Sequence, residues 1–138
     1  MKKGKKFKSF SVGIIFLLTI TNLDAQISST TIGGLWNDPL TWNGNVIPAA
    51  NDNVVINGPV GVTYGAAYND IIISQIGTLE NAYSTNATLE VNGDITNNGV
   101  IRTHPDGIGF HIHISGDINN NGQMTIISLL ALKISRFL

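Results

Sequence analysis

The residues with the most reactive side chains are His111 and His113, set either side of Ile112, with His104 a short way upstream. Two imidazoles at positions i and i+2 share one face of a strand, and zinc or copper accepts imidazoles that converge. The plainer reading is two solvated side chains that alternation sends outward. Their Cα atoms would stand about 7 Å apart, and no cysteine exists to complete a ligand set. Asp94 and Asp117 form the next candidate pair, each lying between a glycine and an isoleucine. Like charges at one corner repel. Either a calcium ion neutralises them with nearby carbonyls, or each carboxylate bonds its own turn amides as an Asx-turn. The Asx-turn is the expectation; no cofactor is expected, with calcium the alternative at this corner. Trp36 and Trp42 are the third pair, as the cap of an apolar end or as platforms on which sugar rings stack; capping is the expectation.

Catalysis finds less support. Sugar cleavage needs two acids about 5 to 9.5 Å apart across a groove, and the acids here are scattered, with Arg102 the lone basic residue between Gln26 and Ser128. No Ser-His-Asp order, phosphate-cradling glycine loop or zinc-binding helix motif is present. The expectation is a protein that is not an enzyme.

These side chains must be positioned by a repeat. Leu89-Glu-Val-Asn-Gly-Asp-Ile-Thr-Asn-Asn-Gly-Val-Ile101 recurs 23 positions later as Ile112-His-Ile-Ser-Gly-Asp-Ile-Asn-Asn-Asn-Gly-Gln-Met124. A fixed period in the twenties marks stacked units. Apolar and polar residues alternate, then Gly-Asp and Asn-Asn-Gly corners follow, giving strand, turn, strand, turn. The predicted fold is all-β, a short parallel β-helix (β-solenoid) of about four coils, each of about 20–23 residues. At that offset Leu89 and Val91 lie under Ile112 and Ile114 with Phe110 beside them, and Glu90 falls next to His113. Asn97/Asn120 and Asn98/Asn121 form ladders that fix register. Before the repeat, Asn51–Gly58 reads as a short strand with a turn at each end, Val60 and Val62 continue its alternation after Pro59, Ile71–Ile73 and the stretch around Thr78–Glu80 read as further strands, and 81–86 as a loop.

Residues 1–25 read as a cleaved signal peptide: five lysines, an apolar core from Phe10 to Ile20 and Ala25 before the cut. The core is shorter than the roughly 20 residues of a membrane span. Residues 26–127 form the solenoid module, and 128–138 abandon its Asn/Gly vocabulary for leucines, as a cap or the scar of a truncated reading frame. Without the leader, three basic residues face eight acids, a net charge of −5, which disfavours nucleic acid. The absence of cysteine leaves backbone ladders and stacked apolar side chains to stabilise a small exported domain.

The run Trp36-Asn-Asp-Pro-Leu-Thr-Trp42, Ile47-Pro48, Asn51-Asp-Asn-Val-Val-Ile56, Ile71-Ile-Ile73, Gly77-Thr-Leu79 and Leu89-Glu-Val-Asn-Gly93 resembles the opening of G8-type domains. It is equally similar to the N-terminal solenoid segment of large secreted surface proteins of gram-negative bacteria. That resemblance implies a secreted or cell-surface structural, adhesin-like module of a larger protein, with extracellular polysaccharide or a cell-surface component as partner. The alternative it implies is the N-terminal segment of a carbohydrate-active enzyme. An open solenoid end adds self-association through an unpaired strand edge.

Overall fold

A computed structural model describes residues 26–65, 67–126, 128–131 and 136–137, the last two stretches by backbone alone; the expected leader lies outside them. The lowest rung holds β1 (Gln26–Ser28) and β2 (Gly34–Leu35). The first full coil is β3 (Asn53–Ile56), β4 (Pro59–Val62) and β5 (Ala67–Tyr68). The second is β6 (Ile71–Ile73), β7 (Thr78–Asn81) and β8 (Asn86–Val91), and the third is β9 (Ile95–Asn97), β10 (Val100–Arg102) and β11 (Gly109–Ile114). The fourth is β12 (Ile118–Asn120), β13 (Gln123–Thr125) and β14 (Ser128–Ala131), after which β15 (Arg136–Phe137) returns to β12. Strands of equal rank stack into three parallel sheets, β1-β3-β6-β9-β12-β15, β2-β4-β7-β10-β13 and β5-β8-β11-β14. The chain is a β-solenoid of about four turns.

The 23-residue offset is realised: Leu89 pairs with Ile112, Val91 with Ile114 and Ile95 with Ile118. Earlier coils depart from it. Val54 lies under Ile71, 17 positions on, and Ile71 under Ile95, 24 positions on. The departures fall in the corners, where insertion costs little because the backbone faces water. Residues 75 and 76 are extra in the first corner of the second coil, since Ile73 to Thr78 spans what Asn97 to Val100 spans above. The loop expected over 81–86 is shorter: Asn81 is the buried end of β7 and Asn86 opens β8. The stack also continues past 127, because β14 pairs with β11 through Ser128 to Ala131. A parallel ladder uses backbone groups, so a change to leucine-rich composition does not stop it.

Alternation directs the core. Val54, Ile71, Ile95 and Ile118 form one inward column, and Val60, Leu79 and Ile101 another; all seven are buried. Ala87 lies under Phe110, a small side chain making room for a large one at crystal-like packing density. One column changes chemistry partway, running Ile56, Ile73, Asn97, Asn120. The buried amides are satisfied: Asn97 Nδ2 donates to Asn120 Oδ1 at 2.6 Å and to the Gln123 carbonyl at 2.9 Å, while Asn97 Oδ1 accepts from the Gly99 amide at 3.1 Å. An unpaired buried amide would cost a few kcal/mol, about 1–3. Asparagine at this corner therefore fixes register. The following glycines are sterically required: a Cβ on Gly99 would strike the Ser74 and Gly77 carbonyls, and one on Gly122 the Gly99 carbonyl.

The N-terminal end is closed. Trp42 Nε1 donates to the Trp36 carbonyl at 2.8 Å, and the two rings meet edge to face at 5.0 Å. Trp36 packs in turn on Tyr68 of the first coil, with ring centres 4.7 Å apart. Residues 41–43 run antiparallel along the lower edge of the chain at Ser28 to Thr30: Thr30 N donates to Thr41 O and Asn43 N to Ser28 O. A single 3-10 turn, Pro39–Thr41, is capped by Asp38 Oδ1 on the Leu40 amide. Asn51 N reaches Ala67 O, so the incoming chain covers the lower edge of β5 as well. Two of the three sheets thus begin on an occupied edge.

Two stability measurements follow. Gly122→Ala should lower the stability in urea by about 1–3 kcal/mol, while Thr96→Ala, on the outer face, should change it far less; equal effects would refute the steric role of the corner glycine. Burial pushes the Tyr68 phenol pKa above its usual 10; the neighbouring Trp36 indole N–H, short of full hydrogen-bond geometry, acts in the opposite direction without reversing it. The folded state holds the proton that the unfolded chain loses. The stability from burying the neutral phenol is therefore complete below pH 10 and declines as pH rises above it. Urea titrations from pH 9 to pH 11.5 should show that decline, and Tyr68→Phe should flatten it.

Candidate functional site

The aspartate corner is built by the ladder. Each Gly-Asp step places a carboxylate beneath the backbone of the next coil, and the glycine leaves room for it. Asp70 Oδ1 accepts the Asp94 amide at 2.8 Å, and Asp94 Oδ1 accepts the Asp117 amide at 2.7 Å. A Cβ at Gly93 would collide with the Asp70 carboxylate, and one at Gly116 with that of Asp94. One coil lower Asn53 has the same role, with Oδ1 accepting the Asp70 amide at 3.1 Å. Of the pair expected to form Asx-turns, Asp94 is thus corrected: its carboxylate bonds the turn above rather than its own, as Asp70 does one coil lower. Successive coils are one rung apart, which brings the upper amide as close as a local one.

The histidines divide. Along the outer face of the third sheet, Thr88 lies under His111 and Glu90 under His113, and His113 Nδ1 meets Glu90 Oε1 at 2.9 Å. Both members of that pair are nearly half exposed. His104 sits apart, in the loop leaving the second sheet. Its amide donates to Asn81 Oδ1, its Nδ1 accepts the Asp106 amide at 3.0 Å, and its ring stands edge-on to Tyr83. Among the described residues no three or more His, Cys, Asp or Glu side chains converge as a metal site.

Trp36 and Trp42 are 4 % and 1 % exposed, so their rings fill the end of the core and offer no open face to a sugar. Tyr64, 66 % exposed, is one open aromatic; another is Tyr83, 68 % exposed, which sequence reasoning passed over within a polar loop. It borders a shallow cavity of about 330 Å³ on the second sheet, lined also by Ile32, Leu35, Gly61, Glu80 and His104. The register explains this shelf. Leu35, Gly61, Glu80 and Arg102 occupy one outward column of β2, β4, β7 and β10. Gly61 leaves the floor low, and Arg102 Nε donates to Glu80 Oε2 at 2.7 Å. The Glu80–Arg102 spacing of 22 residues, close to the repeat offset, was the available signal. A broader recess beside the first corner, lined by Asn57, Ile72, Ser74, Gln75, Ile76 and Asn98, carries no charged group.

The aspartate ladder is tested by substitution. Asp94→Ala should cost about 1 kcal/mol, whereas Asp94→Asn keeps the accepting oxygen, as Asn53 does, and should cost much less. Chelation with EDTA should leave the melting temperature unchanged; a fall would restore calcium to the Asp94/Asp117 corner. No protein-family model, curated protein or solved structure matches this chain.

Proposed function

We propose that this chain is a non-catalytic recognition module of a secreted or cell-surface protein, adhesin-like in presenting flat sheet faces and corner loops to extracellular material. The observation that carries the reading is the engagement of six of the eight side-chain carboxylates after residue 25. Asp38, Asp52, Asp70 and Asp94 accept backbone amides, Glu80 holds Arg102 and Glu90 meets His113. A hydrolase needs two acids facing each other across a substrate groove; each of these six is engaged in a turn, a ladder or a pair, and Glu80 is the single acid among the described residues that line the Tyr83 shelf. The leader-like residues 1–25 and the resemblance to solenoid segments of bacterial surface proteins support export.

The second reading, a segment of a carbohydrate-active enzyme, draws on the same resemblance and on the open shelf beside Tyr83. One experiment separates the two. The purified chain is incubated with insoluble extracellular polysaccharides and with whole gram-negative cells; co-sedimentation and newly formed reducing ends are measured together. Adsorption with no new reducing ends is the expected result. Bond cleavage by this chain would overturn the non-catalytic reading.

A further inference from the structure

We infer that the shelf on the second sheet binds a neutral saccharide chain, with Tyr83 as the stacking platform and Glu80, Arg102 and His104 as its hydrogen-bonding groups. The inference rests on the recognition reading above and names its site and ligand class. The shelf is shallow and open, unlike the enclosed apolar clefts that bury most of a small ligand. It suits an extended ligand that stays partly in water. The column Leu35, Gly61, Glu80, Arg102 climbs three rungs, about 14 Å along the axis, which gives successive rings of one chain a continuous track.

The chemistry of the lining selects among extended ligands. A sugar ring has a C–H face that packs on an aromatic plane, and Tyr83 offers such a plane while its hydroxyl remains free for water. Vicinal hydroxyls both donate and accept, so they need an acceptor and a donor side by side. Glu80 and Arg102 supply that combination. Arg102 uses Nε on Glu80 Oε2, and no other hydrogen bond of either side chain occurs among the described residues. His104 adds a second donor: its Nδ1 is occupied as an acceptor of the Asp106 amide, so the neutral imidazole carries its proton on Nε2. The ion pair sums to zero charge, and the chain after residue 25 is acidic. Uronic-acid polymers are therefore repelled where neutral ones are not. Gly61 completes the fit, since a side chain there would rise into the track beside Leu35 and Ala82.

The test is affinity gel electrophoresis of the chain freed of residues 1–25, whose five lysines would themselves attract a polyanion, in gels containing dextran, laminarin, xyloglucan or polygalacturonate. At least one neutral polymer should retard the protein, and polygalacturonate should not. Tyr83→Ala and Glu80→Gln should each weaken the retardation about tenfold, while Glu90→Gln on the third sheet should leave it unchanged, with circular dichroism reporting an intact β fold for all three. Retardation by polygalacturonate alone, by no neutral polymer, or equally strong with Tyr83→Ala would overturn the saccharide shelf. If the chain still adsorbs to cells without cleaving bonds in that case, the recognition reading stands and only the site falls. Neutral retardation accompanied by new reducing ends would keep the site and remove the non-catalytic reading.

Discussion

Every coil of this protein must present its backbone to the next at a single rung spacing of about 4.8 Å, and the corners are where that requirement is hardest to meet. A strand continues its ladder by default. A corner turns its amides and carbonyls away from the ladder and needs another partner for them. Here the partner is a side chain from the coil below: Asn53 under Asp70, Asp70 under Asp94, Asp94 under Asp117. At the other corner it is the buried Asn97–Asn120 pair. Gly93 and Gly116 beside the upper two aspartates, and Gly99 and Gly122 beside the asparagines, supply the clearance. The Gly-Asp and Asn-Asn-Gly phrases are thus the inter-coil contact written in sequence.

That dependence explains what was legible. The stretch from β8 to β13 was readable because its Gly-Asp and Asn-Asn-Gly corners repeat residue for residue, so the offset of 23 and the inward Leu89, Val91, Ile112 and Ile114 followed directly. The lower coils were not, because Val54 to Ile71 and Ile71 to Ile95 differ in length by seven residues. An offset cannot be extrapolated across corners that gain or lose residues. The partner of an acidic corner residue was also obscured. Sequence offers local turns as the nearest acceptor geometry, whereas stacking brings the amide of a residue 23 or 24 positions away within 2.7–2.8 Å.

Aromatic residues taught the opposite lesson about exposure. Two tryptophans in a turn-rich loop satisfy both a capping and a sugar-binding reading, because both use large apolar area. The structure separates them through Tyr68, which gives Trp36 a partner from above while Trp42 bonds the Trp36 carbonyl from the side. With 41–43 and Asn51 occupying the lower edges of β1 and β5, two of the three sheets are finished against β-pairing at this end. Natural sheets manage their edges in this way because an unpaired parallel edge is a template for another chain. Self-association through an open edge, where it occurs, is therefore directed away from those two sheets at the tryptophan end.

The placement of the shelf follows from the same constraint. A residue inside a coil answers to neighbours above and below, so its identity is restricted by stacking on both sides. The corner between the second and third strands escapes this. It is four residues at Ala82 to Thr85 and six at Thr103 to Ile108, and its links from one coil to the next run through Asn81, a few backbone bonds and the Tyr83–His104 ring contact. Tyr83 and His104 come from that corner, and Glu80 and Arg102 from the strand ends that feed it. Specific chemistry accumulates where the solenoid leaves its chain free to vary, and the regular rungs beneath hold it at fixed spacing. In a fold whose interior is governed by repetition, the least repetitive edge is where recognition has room to arise.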